Sequence, residues 1–311
     1  MWTRLHRYFL LGSAALTIAG PAWGQAFQFS TGNPDGAIAT ASRPDANGLI
    51  EIETADDFAL AQETAITNGT FTGLLPANTD VTGIQNVIVE IYRIFPADSV
   101  NPPSGNVPTR TNSPSDVALT SFDASLGQLT FTTSLLSSNF TVANSVINGI
   151  NGSNPFTGGE GAMSGREVQF SFSLTANLDL PAGHYFFVPQ VQLADGSFLW
   201  LSAARPIVAP GTPFPTGFTD LQSWIRNENL APDWLRVGTD ITHQGPFNAA
   251  FSLAGIVVPE PASWMMMLSG FAAIGLALRR RRRSRTAPPD FGGPGIVSAS
   301  GSHGPPARPS I

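Results

Sequence analysis

The 311-residue chain has no cysteine. That excludes a disulfide framework, a thiolate nucleophile and a cysteine metal site. An exported domain built from this chain must be held by its own core. Histidine is scarce as well. Between residues 25 and 257 only His184 and His243 occur, and His184, at a strand start, reads as a surface or packed side chain. There is no His-Glu-x-x-His, no Gly-x-Ser-x-Gly, no phosphate loop and no EF-hand pattern. Basic residues are few over the same stretch, which holds 7 Arg against 20 Asp and Glu, a net charge of −13. The chain total of −6 conceals this, because six arginines lie at 279–283 and 285. Such acidity argues against nucleic acid or anionic lipid as a partner. It is compatible with divalent cations, and it also serves solubility.

What is present begins with an export signal at 1–24. Arg4, His6 and Arg7 form a basic start, and Tyr8 to Ala19 is apolar. Gly20-Pro21 breaks the helix, and small residues precede a cleavage expected between Gly24 and Gln25, with Ala26 as the alternative. This is the pattern of a secretory signal peptide, implying the Sec machinery and signal peptidase as partners.

The second organising stretch lies near the other end. Pro259-Glu260-Pro261 is followed by an uncharged, proline-free run over 262–278 and then by Arg279, Arg280, Arg281, Arg282 and Arg283. A soluble helix would break such a run with polar residues every three or four positions. As a helix the run is roughly 26 Å long at ~1.5 Å per residue, slightly short of a ~30 Å hydrocarbon core; snorkelling arginines make up the shortfall. Each arginine costs about 3 kcal/mol at the bilayer centre. The cluster is therefore expected to stop transfer on the cytoplasmic side, giving a C-terminal transmembrane helix over 262–278. Two prolines bracket Glu260, so that segment is expected to stay extended.

In that order, a Pro-Glu-Pro element, an apolar span and an arginine cluster resemble the PEP-CTERM sorting signal, a short motif also labelled an ice-binding-protein C-terminal domain. The resemblance covers 258–283 and implies an exported substrate of an exosortase, with Pro259, Glu260 and Pro261 as the recognition and processing element. It further implies association with exopolysaccharide and biofilm matrix, and a stay in the inner membrane with the ectodomain outside before release to the cell surface. The chain departs from the usual pattern by continuing over 284–311, a stretch rich in Pro, Gly, Ser and Ala that reads as disordered.

The ectodomain, 25–257, reads as all-β: a sandwich or jelly roll with one short helix. Val168, Phe170, Phe172 and Leu174 alternate with polar residues. Val87, Val89 and Ile91 alternate with Ile88, Glu90 and Tyr92, as in a central strand. Gln128 to Thr133 and Phe247 to Leu253 alternate similarly. Tyr185 to Leu193 and Ser197 to Ser202 flank Asp195-Gly196, a strong hairpin signal. Further short strands are expected at Leu49 to Glu53, Phe58 to Leu60, Gly69 to Leu74, Val117 to Phe122 and Phe140 to Ile147. Leu221, Trp224 and Ile225 have helical spacing and predict a short helix over Asp220 to Asn229. The loops at 97–114 and 148–165 read as binding loops or connections. Gly183 to Ile207, with Asp220 to Asp240, is also similar to stretches of secreted bacterial proteins of unknown function.

Candidates for chemistry are few. Asp56 and Asp57 could offer carboxylates to Ca²⁺, or be solvated turn residues; no other cofactor is implied. Glu51 and Glu53 alternate with Ile50 and Ile52 and are expected on the solvent face. Trp200, Trp224 and Trp234 could stack on sugar rings, although each has an apolar neighbourhood suited to core packing. No carboxylate pair stands out for glycosidase work. Two function classes result: a non-enzymatic surface or matrix protein, and a secreted glycan-active hydrolase. The missing nucleophile and metal motifs favour the first.

Overall fold

The computed structural model describes residues 24–204, 222–259 and 261–284. Two compact units result, one ending at Glu260 and one beginning at Pro261. The expected signal peptide, Glu260 and the stretch after Ser284 lie outside the described residues.

The first unit is built from strands. They are β1 (Ala26–Ser30), β2 (Pro34–Ala41), β3 (Ile52–Leu60), β4 (Thr64–Pro76), β5 (Ile84–Arg93), β6 (Thr120–Asp123), β7 (Leu129–Val142) and β8 (Asn144–Val146). The series continues with β9 (Met163–Leu180), β10 (Gly183–Leu193), β11 (Leu199–Ala203), β12 (Trp224–Asn227), β13 (Leu235–Arg236), β14 (Asn248–Ala249) and β15 (Phe251–Val257). One sheet runs β1-β15-β4-β11-β2-β8, with β9 on β4, β7 on β9 and β14 on β11; the other runs β13-β12-β3-β10-β5-β6. Of these pairings only β2 with β8 is parallel.

The sheets face one another across an aromatic core. Phe187 of β10 stacks on Phe172 of β9 at 5.7 Å and on Phe251 of β15 at 5.1 Å between ring centroids. Phe29 meets Phe58 at 6.2 Å. Val89, Ile91, Phe170, Phe172, Phe187 and Phe251 are all buried there, as alternation predicts, and Leu174 is half-buried at its edge. Such ring pairs add about 0.5–1.5 kcal/mol each beyond burial.

Close packing fixes one glycine. A Cβ on Gly73 would lie 2.2 Å from the Phe198 ring and 2.5 Å from the Leu199 carbonyl oxygen. Gly73 pairs with Trp200 where β11 joins β4, so backbone as well as side chain would have to shift. Gly73→Ala is expected to lower stability by about 1–3 kcal/mol, read as a fall in the urea midpoint with an unchanged slope. An unchanged midpoint would contradict this packing.

Two expectations change. The stretch read as a short helix forms β12 at Trp224–Asn227, pairing with β3 and β13; Asp220 and Leu221 lie outside the described residues. Trp224 and Ile225 are buried on opposite faces, in different apolar clusters. A strand covered on both sides loses the alternation that identifies it. The Asp195-Gly196 turn exists, with Gly196 at φ +78°, but it joins no hairpin. The flanking strands enter different sheets, because β10 is paired on both edges by β3 and β5 and β11 by β2 and β4.

The second unit contains α1 (Pro261–Ser284). The helix covers the expected 262–278 span and runs on through the arginines. Pro261 is its first residue, a correction to the extended Pro-Glu-Pro segment: at that position the missing N–H of proline has no helical partner to lose. The expectation of a transmembrane helix over 262–278 changes accordingly: among the described residues no helix is long and apolar enough to cross a membrane, which says nothing about strands.

Candidate functional site

The functional candidates of the ectodomain gather on the outer face of the six-stranded sheet. Alternation along β3 sends Phe58 into the inter-sheet core and Ala55 to the outer face. Glu53 and Glu51 share the parity of Ala55. On β5, Val87, Val89 and Ile91 point inward, leaving Glu90 and Tyr92 outside; on β12, Arg226 is the register partner of Glu53.

The outer face is covered. Glu53 is 3% exposed and Arg226 7%, so the expected solvated Glu53 is instead buried. The alternation placed it on the correct side of the strand, but Ser115 and Asp116, at the end of the loop that begins at 97, and Trp234 close over that side. Arg226 Nη1 donates to the Asp116 carbonyl at 2.9 Å, and Trp234 Nε1 donates to the Ser115 carbonyl at 3.2 Å. That loop is anchored by Arg110, which is buried over the Phe95 ring at 3.9 Å and ion-paired with Asp116 and Asp233.

Beneath the cover lies a charged network. Arg226 Nε donates to Glu53 Oε2, and Arg226 Nη2 donates to the Tyr92 hydroxyl at 2.9 Å. That hydroxyl donates to Glu53 Oε1 at 2.5 Å and lies 3.2 Å from Glu90 Oε2. The Arg226 guanidinium rests over Trp234 at 4.3 Å, a cation–π contact strengthened by desolvation. Gln190 Nε2 donates to Glu51 Oε1 at 2.9 Å.

Three carboxyls thus share one arginine. Burial pushes the Glu90 carboxyl up to about 8, with the neighbouring Glu53 adding to the shift. Burial also raises Glu51, again with help from Glu53. Burial and Glu53 together raise the Tyr92 hydroxyl, so it stays a hydrogen-bond donor. Glu90 is therefore protonated at neutral pH.

The other predicted residues fall elsewhere. Asp56 and Asp57 are both buried in mid-strand, not in a solvated turn. They point to opposite faces: Asp57 meets His184 Nε2 at 2.9 Å, and Asp56 accepts from the Ala249 N–H at 2.7 Å. They do not converge on a Ca²⁺ position. Among the described residues no group of three or more metal-ligating side chains converges. Trp200, Trp224 and Trp234 are at most 1% exposed, so none offers a face to a sugar. Sequence reasoning missed Glu90, Tyr92, Gln190 and Arg226 as site residues. The available signal was Glu90 itself, the one charge in the otherwise apolar run from Val87 to Tyr92.

Among the described residues three concavities lie away from this network, one of them, about 220 Å³, between Phe27, Gln62 and Val257; the remaining two bear on ligand chemistry. One of about 260 Å³ is lined by Leu74, Leu75, Ile147, Met163 and Leu199 with Ser164 and Ser197. The other, about 200 Å³, is lined by neutral hydrogen-bonding groups, among them Asn33, Thr70, Thr72, Gln169 and Ser252.

Residues 257–282 match the PEP-CTERM protein-sorting motif. The chain carries that motif, which implies export and an exosortase as processing partner. No curated protein and no solved structure matches the chain significantly. The match begins at the last residue of β15, so the sorting element starts where the folded strands end.

Proposed function

We propose that this chain is an exosortase-sorted protein of the cell surface or extracellular matrix, with a β ectodomain that binds or builds exopolysaccharide matrix without catalysis. The PEP-CTERM match at 257–282 carries this reading. The ectodomain is delivered by the N-terminal signal peptide. The sorting tail then keeps it anchored at the inner membrane, ectodomain outside, until processing at Pro259-Glu260-Pro261. Cleavage there spares all of β15. Acid–base chemistry is disfavoured by the internal commitment of the acids: Glu53 to Arg226, Asp57 to His184, and Asp116 and Asp233 to Arg110. The uncharged concavity beside Thr72 and Gln169 suits sugar hydroxyls better than an acidic ligand.

Glu260→Ala is expected to leave insertion intact and block processing, so that full-length protein accumulates in the membrane fraction of a host with an exosortase. Release like that of the parent would remove Pro-Glu-Pro as the recognition element. Neutral residues in place of Arg279–Arg283 weaken the stop instead, and chains escape or misorient. A glycan-array screen of the purified protein tests the binding half of the proposal, with retention of neutral polysaccharides expected and retention of none overturning it.

One observation favours a second reading, a glycan-active hydrolase. A protonated Glu90 near the Glu53 carboxylate is the kind of unequal pair that glycosidases use. Polysaccharide turnover abolished by Glu90→Gln would establish it.

A further inference from the structure

The outer face of the larger sheet is uncharged where β1, β15, β4, β9 and β7 lie side by side. Phe71 of β4, Phe170 and Phe172 of β9 and Phe251 of β15 are buried in the inter-sheet core, so the residues that alternate with them face outward. Register aligns one outward residue from each strand. Ser30 lies beside Ser252, Ser252 beside Thr70, Thr70 beside Ser171, and Ser171 beside Thr132. At ~4.8 Å between strands this row of hydroxyls is about 19 Å long. Asn68, Ser173 and Thr130 continue the pattern on one side of it, and Thr72, Gln169 and Ser134 on the other. The Thr70 and Ser252 hydroxyls are hydrogen-bonded at 2.7 Å, which fixes the middle of the row. Ser171, Ser173, Thr130, Thr132 and Ser134 are exposed. The concavity of about 200 Å³ between Thr72, Gln169 and Ser252 is a recess in this same face.

None of these side chains is charged, in an ectodomain of net charge −13. A face kept only for solubility would carry its share of the 20 acids. Glu167, the next outward residue along β9, is 8% exposed, and burial pushes its carboxyl up. The rows hold no cation to attract a polyanion, which the surrounding acidity would repel. They hold no carboxylate for a polycation and no aromatic ring. What they offer is hydroxyls and amides, groups that both donate and accept. We propose, resting on the matrix-binding reading above, that this face is a binding site for a neutral, linear polysaccharide lying along the row from Ser30 to Thr132. The recess beside Gln169 admits a substituent or a chain end. A single neutral hydrogen bond here adds little, because it replaces one to water. Affinity therefore accumulates with chain length, and a chain long enough to span the row is held where a disaccharide is not.

The test applies the purified full chain, in a detergent without sugar headgroups, to an array of neutral and anionic glycans of graded length. Neutral glycans are expected to be retained, with affinity rising at least about tenfold from two sugars to six. Gln169→Ala with Ser171→Ala removes hydrogen-bonding groups, and Ser171→Arg lays a bulky side chain across the row. Each is expected to weaken retention about tenfold with the urea midpoint unchanged, because these side chains reach solvent. Ser121→Arg, exposed on β6 of the other sheet, is expected to bind like the parent. Neutral glycans held equally by the parent and both face variants would overturn this site and leave the matrix-binding reading standing. Retention of anionic glycans alone, or an equal loss in Ser121→Arg, would also overturn the site. Retention of no glycan would overturn both.

Discussion

Arg226→Met is expected to cost the ectodomain about 3–5 kcal/mol, the range for breaking a buried ion pair from one side. Methionine fills similar volume beside Trp234, so little of the loss comes from packing. The loss comes from what remains. Glu53 stays 3% exposed with its cation gone, and the Tyr92 hydroxyl loses the donor at 2.9 Å. Glu51 and Glu90 still crowd the same face. Urea unfolding at pH 7 reads the effect directly, as a lower midpoint. Adding Glu53→Gln to the variant should recover a large part of the loss, since the two changes share one network. A loss below about 1 kcal/mol would mean that Arg226 behaves like a surface arginine, contrary to its burial.

The second large effect is a pH dependence carried by Glu90. Its carboxyl moves from an ordinary value of 4.5 to about 8 in the fold. Below 4.5 both the native and unfolded chains hold the proton, and this group contributes no pH dependence. Between 4.5 and 8 the native state retains a proton that the unfolded chain has lost, so stability falls as pH rises through that window. At about 1.4 kcal/mol per unit, the total is on the order of a few kcal/mol. Glu90→Gln keeps a neutral hydrogen-bonding group beside Tyr92 and removes the titration. The variant is therefore expected to match the parent near pH 4.5 and to exceed it by about 2–4 kcal/mol at pH 9, read from urea midpoints across pH. Glu51 shifts in the same direction, so some slope should persist. A parent whose stability rises between pH 5 and 8 by way of Glu90 would refute the assignment. For a protein outside the cytoplasm this profile favours acidic surroundings.

Much of the inter-sheet core was legible because its strands are half-covered. Where Phe170 and Phe172 alternate with Gln169, Ser171 and Ser173, period two is written into the residues, and the strands appear where that pattern lies. Trp224 and Ile225 were misread for the opposite reason: both faces of β12 are covered, so its side chains carry no polar alternation. The separation of β10 from β11 was equally hidden. A turn signal at Asp195-Gly196 specifies a reversal of the chain, but which strand edges are vacant at that point depends on β2, β3, β4 and β5, some of them more than a hundred residues away.

The site divides in the same way. The sorting element is a linear signal read by another protein, so its residues are contiguous, and the match at 257–282 falls within one residue of the boundaries read from the pattern. The carboxylate network is made from β3, β5, β10 and β12 and closed by Ser115, Asp116 and Trp234, and no local pattern announces it. By itself, then, the sequence determined the all-β class, the core alternation, the sorting tail and the absence of cysteine chemistry, because each is a property of neighbouring residues. Tertiary structure alone decided that Glu53 is buried, that Asp56 and Asp57 face apart, that the tryptophans pack inward, and that Glu90 keeps its proton. Those outcomes depend on what covers a face, and the covering segments come from distant parts of the chain.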